Sequence, residues 1–202
     1  MEQSISAPFL SETQTPVSGV GFGIRFAARV IDMIVHYIIW YVAAYIIGIA
    51  INIYAMISGI PVSEILANSG SSSVYGFFLA LFGSFFYQTF SEYICGASLG
   101  KIIFKIHVLS DDGQPISFKA AVIRSAAYFV DGMVFGLVAY ENMKKTPLRQ
   151  RYGDKWANTI VVKRSSLAKI HLPTGWKFML AFIVGVIADG LCAIVSTLIN
   201  YL

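Results

Sequence analysis

The sequence predicts an all-α integral membrane protein. It would have three transmembrane helices, a helical hairpin that re-enters the membrane or lies at its interface, and a short cytoplasmic β-strand pair. Three observations predict it. Apolar residues make up 56% of the 202 residues and charged residues only 13%, with a mean hydropathy of +0.68; a soluble domain carries about 25% charge. Apolar runs at about 24–51, 74–95 and 176–202 each reach the ~20 residues needed to cross a bilayer. The placement of Lys and Arg then restricts how these runs are threaded.

The chain divides into a polar amino-terminal tail (1–22), a membrane domain (23–164), and a linker with a carboxyl-terminal helix (165–202). The tail holds Pro8 and Pro16 among Ser, Thr and Gly and shows no cleavable signal pattern. The first span, 24–51, is longer than crossing requires, so tilt or headgroup-level turns are expected, with Arg25 snorkelling. A loop with Pro61 and a Ser-rich tip leads to the second span, 74–95, which carries Gln88 and Glu92 near its far end. Residues 102–109 alternate apolar and polar, a half-buried strand pattern. Asp111-Asp112-Gly113 marks a turn, and Ser117 is placed to cap the next helix. The segment 118–140 is apolar but carries Lys119, Arg124 and Asp131, with Gly132 directly after. A basic loop, 141–158, precedes a second short strand, 159–163.

Loop 52–73 has no Lys or Arg and is expected outside; the amino terminus and segment 96–119 are expected in the cytoplasm. If 118–140 crossed, as a four-span alternative, the basic residues from Lys144 to Lys169 would be translocated. The positive-inside rule opposes that. A hairpin turning near Asp131-Gly132 keeps them inside and lets the two strands pair.

Arg25, Arg29, Asp32 and His36 follow spacings of four, three and four, which puts them on one helix face. Ionisable groups in hydrocarbon are costly unless paired or facing a polar interior. Asp32, Asp131, Asp189 and His36 are therefore candidates for an ion or proton pathway. The plainer alternative for Asp32 is a structural ion pair with Arg29 or Arg124. Asp131 fits either an ion-facing helix break or a polar turn. Glu92 is expected to snorkel at the interface, and Asp189 reads as a lone acid in its span. With Arg25, Arg29 and Arg124, Glu92 and Asp154 complete a charge network, Asp154 as a loop-ordering partner of Arg149 or Arg151. Lys144, Lys145, Arg149, Arg151 and Lys155 are candidates to bind anionic lipid headgroups. Nucleic acid is not an expected partner, because no contiguous basic-aromatic patch exists. No metal or cofactor is expected, and no motif of enzyme chemistry is present.

Several further groups occur in order. Arg25, Ala28 and Asp32 open the first span, and Ser98-Leu99-Gly100-Lys101 follows the second. Asp112-Gly113, Pro115 and Ser117-Phe118 lead to Arg124 and Asp131; then come Arg149-Gln150-Arg151, Gly153-Asp154-Lys155, Ala157-Asn158-Thr159 and Val161-Val162. Together they resemble the RDD family of membrane proteins, over about residues 20–164. The arginine and two aspartates of the family's name correspond to Arg25, Asp32 and Asp154, with Asp131 a further acidic position. The resemblance implies a prokaryotic, cytoplasmic-membrane protein, with transport, and in some members sodium/proton exchange, as the activity. It says nothing of the last span. The expectation is an oligomer that moves a cation or small solute; the alternative is a scaffold or accessory subunit of a membrane complex that docks a partner or lipid.

Overall fold

The computed structural model describes residues 18–67, 73–132, 136–167 and 175–201. Four expected features lie outside them: the tail up to residue 17, the tip of the first loop, the hairpin turn after Gly132, and most of the linker. The long helix α1, Phe22–Ser58, opens the fold. It contains no proline, and Gly59 ends it in a left-handed conformation, donating its N–H to Ala55. After the short α2 (Val62–Ala67) comes α3, Ser73–Cys95. Helix α4 (Leu99–Ile103), strand β1 (Ile106–Ser110) and helix α5 (Phe118–Asp131) follow. Helices α6 (Leu137–Lys144) and α7 (Tyr152–Trp156) lead to strand β2 (Thr159–Lys163), and α8 (Gly175–Tyr201) closes the chain.

Among the described residues, two helices have both the length and the hydropathy to cross a membrane: α1, and α8 over Gly175–Ser196. Their outward faces are apolar and bare: Ile34, Ile38 and Tyr41 on α1, Ile183, Ile187 and Leu191 on α8. Exposed apolar surface this continuous belongs against lipid. Helix α3 has the length to cross but is more polar toward its carboxyl end; it packs along α8, which also crosses α1. No single helix covers 118–140. Helix α5 has 14 residues, about 21 Å at 1.5 Å per residue, short of a ~30 Å hydrocarbon core. It ends at Asp131, where the hairpin break is expected, and α6 starts after the undescribed residues. Ser117 caps α5 as expected, its hydroxyl accepting the N–H of Ala120 at 3.2 Å.

Strands β1 and β2 pair antiparallel, with His107 opposite Val162 and Val108 opposite Val161. A two-stranded ribbon is marginal alone, and here both faces are covered. One packs with Val20, Ala28, Ile116, Ala120 and Ala121; the other with Leu148 and Leu167. This corrects three expectations. The strand pattern is buried on both faces, because neighbouring elements cover the side expected to meet water. The first part of 102–109 belongs to α4, not to a strand. Residues 18–21 are not tail: Val20 is buried and donates its N–H to the Val161 carbonyl of β2. The segment 141–158 is likewise more than a loop, since it holds the end of α6 and all of α7.

Candidate functional site

The four polar residues of α1 do share a face, and it points into the protein. Each meets a different partner. Arg25, in the first turn, donates to Asp154 of α7, to the Val20 carbonyl at 3.0 Å and to the Arg149 carbonyl at 3.0 Å. One turn on, Arg29 reaches Ser84 Oγ at 3.1 Å and lies over the Tyr128 ring, 4.5 Å from its centroid. Asp32 meets α3 and α4, and His36 meets α8.

Asp154 is the hub of a buried ion network. Its carboxylate takes Arg25, Arg124 and Arg151, and also accepts the Arg151 N–H at 3.1 Å. Burial alone would push this carboxyl up; the three guanidiniums outweigh it and hold the group well below the usual carboxylate range. Arg124 continues the network to Glu92 at 2.7 Å and Thr159 Oγ1 at 2.7 Å, and Glu92 also binds Lys101. Asp131 accepts the N–H groups of Tyr152 and Gly153, both at 3.1 Å, and faces Arg151 Nε at 3.5 Å. The network thus ties α1, α3, α4, α5 and α7 together.

Several expected roles change here. Glu92 is fully buried between Arg124 and Lys101, not snorkelling, because α5 and α4 cover that end of α3. Asp154 orders far more than its loop. Arg151 cannot serve a lipid surface as expected, since its side chain is 8% exposed and committed to two carboxylates. Lys155 is half-buried and donates to Asn142 at 2.8 Å, whereas Lys144, Lys145 and Arg149 remain exposed.

Asp32 has no arginine partner of the expected kind. Gln88 Nε2 donates to it at 2.9 Å, Ser98 Oγ at 2.6 Å and the Gly100 N–H at 2.8 Å, with the Tyr87 hydroxyl at 3.4 Å. Neutral donors from two elements occupy both carboxylate oxygens. Gly100 permits this approach, because a Cβ there would strike the Ala28 carbonyl of α1.

Asp189 is not a lone acid. It is fully buried, with His36 Nδ1 2.7 Å from one oxygen and Trp40 Nε1 donating to the other at 2.8 Å. On the third side stands Gly83 of α3, where a Cβ would strike this carboxylate. Trp40 is one of several site residues that charge spacing does not single out, with Tyr87, Ser98, Lys101, Tyr128 and Thr159. The signal for Trp40 was available, since it lies one turn beyond His36 on the same face.

A helical chain with bare apolar flanks and an interior bundle of ion pairs is an integral membrane protein. The RDD family model matches residues 20–158, and the chain belongs to the RDD family. The match includes Arg25, Asp32, Asp131 and Asp154 and stops short of α8. No curated protein and no solved structure matches the chain.

Proposed function

We propose that this RDD-family protein exchanges a proton for a monovalent cation across the prokaryotic cytoplasmic membrane, with Asp189 and His36 as the exchanging pair. The observation that carries the reading is a fully buried carboxylate, between the two most apolar helices, in contact with an imidazole. His36 lies about 21 Å along α1 from Phe22, at 1.5 Å per residue, near the depth where an uncompensated charge costs most. Imidazole can take up or release a proton at its ring nitrogens, which suits it to carrying one. With His36 protonated and Asp189 ionised, the pair is neutral overall. Loss of that proton leaves one negative charge, which an entering cation neutralises. One proton out for one cation in keeps the site neutral. Asp32 and Asp131 suit this work less, because the groups on their oxygens are amides, hydroxyls and an arginine, whereas one of the two groups on Asp189 is an imidazole that can give up its proton.

In this reading α3 is a third span, α5 and α6 form the hairpin, and the amino terminus is cytoplasmic. So small a bundle encloses little room for a path, which favours a homo-oligomer. The experiment is reconstitution in liposomes with internal pH followed after adding sodium, lithium or potassium. Wild type is expected to shift internal pH with at least one cation. Asp189→Asn, assembled as wild type by size exclusion, is expected to lose the response. An intact wild type that moves no protons with any of the three would overturn exchange and favour a scaffold that docks a partner.

A further inference from the structure

Beside the ion network, a cavity of about 500 Å³ opens between α1, α5 and α6. Six charged residues line it: Arg25, Arg29, Lys101, Arg124, Arg151 and Asp131. Phe26, Val30 and Met33 of α1 also line it, and they are 52%, 39% and 43% exposed. The cavity therefore runs from a nest of cations onto the flank of a membrane helix.

The charges do not close. Five cations line the cavity, against four buried carboxylates at or behind it, Asp32, Glu92, Asp131 and Asp154. Arg25, Lys101, Arg124 and Arg151 each hold a carboxylate. Arg29 holds none among the described residues; it donates to Ser84 and lies over the Tyr128 ring. Arg151 stacks on the same ring at 3.8 Å, and its Nη2 is buried with no acceptor among the described residues. Two guanidiniums thus meet at one tyrosine with hydrogen-bonding capacity unspent. A buried donor without an acceptor is destabilising, and a guanidinium in hydrocarbon is more so. An anion supplies both the charge and the acceptors, and paired guanidiniums match phosphate oxygens.

We infer that this cavity binds the phosphate of an anionic phospholipid, with Arg29 as the principal ligand and the acyl chains lying along Phe26, Val30 and Met33. The depth fits a headgroup: Arg25 and Arg29 stand about 4–11 Å from the start of α1 at 1.5 Å per residue. The open apolar wall favours a tailed anion over free phosphate. Exposed Lys144, Lys145 and Arg149 would add long-range attraction to an anionic leaflet. The inference does not rest on cation exchange, since it uses none of Asp189, His36 or Trp40.

The test uses the full chain in nanodiscs of phosphatidylcholine with spin-labelled phosphatidylglycerol, reading the immobilised lipid fraction. Wild type is expected to hold phosphatidylglycerol over phosphatidylcholine. Arg29→Ala is expected to weaken that preference roughly tenfold, the scale of one lost charge-assisted contact. Arg29 has no ion pair to break, so the variant should assemble; size exclusion checks this, and Arg29→Lys should recover part of the preference. Equal retention by assembled Arg29→Ala would overturn the site. Displacement of the labelled lipid by millimolar inorganic phosphate would overturn the lipid assignment in favour of a free anion.

Discussion

Removing the charge of Asp154 leaves Arg25 without its carboxylate and leaves Arg124 and Arg151 with only Glu92 and Asp131. Asp154→Asn leaves Arg25, Arg124 and Arg151 competing for a neutral amide in a buried site. Breaking a buried ion pair by deleting one partner costs about 3–5 kcal/mol. The expected outcome is a large drop in unfolding temperature in detergent, or failure to assemble, followed by intrinsic fluorescence. Asp32→Asn should cost less, because its donors are neutral and the amide keeps one acceptor oxygen. The one-face spacing of Arg25, Arg29, Asp32 and His36 was legible in the sequence. Their partners were not. Arg25 and Asp154 lie 129 residues apart, His36 and Asp189 lie 153 apart, and spacing along one helix says nothing about which distant element covers it. Even so, the arginine and second aspartate matched to the family's name prove to be bonded to each other.

At the scale of elements, the contact of α4 with α1 depends on having no side chain at Gly100. Gly100→Ala is expected to push α4 off α1 and to disturb the Asp32 hydrogen bonds. Size exclusion and thermal unfolding of that variant check it, with a loss comparable to overpacking, about 1–3 kcal/mol. The β ribbon carries a pH dependence. Burial, reinforced by Arg164, pushes the His107 imidazole down to about 4. The folded ribbon therefore binds His107's proton less readily than the unfolded chain. Its stability is full above about pH 6.5 and falls as pH drops toward 4, by about 3 kcal/mol in all. Amide exchange across β1 and β2 from pH 7.5 to 4.5 should show accelerating opening, and His107→Gln should flatten the profile. Strand β2 was legible from its β-branched run, and α5 from its cap and apolar register. Helix α4 was hidden because Ile102 and Phe104 fit a strand alternation as well as a single helical turn. The burial of both ribbon faces was hidden because His107 and Thr159 look solvent-directed until α3 and α5 cover them.

For the whole molecule, two charge systems stand on one helix. Near the start of α1 the carboxylates are bonded by guanidiniums or neutral donors, and they hold the sheet and short helices to the long apolar helices. Further along α1, an acid and an imidazole sit between α1, α3 and α8, with no guanidinium in contact among the described residues. The first system is assigned to assembly and the second to exchange. The most direct test is proton flux per assembled protein for Asp189→Asn beside Asp32→Asn in the same liposomes. The division predicts that Asp189→Asn assembles and is silent, while Asp32→Asn assembles in lower yield and its surviving fraction still exchanges. Full flux from Asp189→Asn, with loss of flux from well-assembled Asp32→Asn, would contradict it and return the exchange site to the first turns of α1.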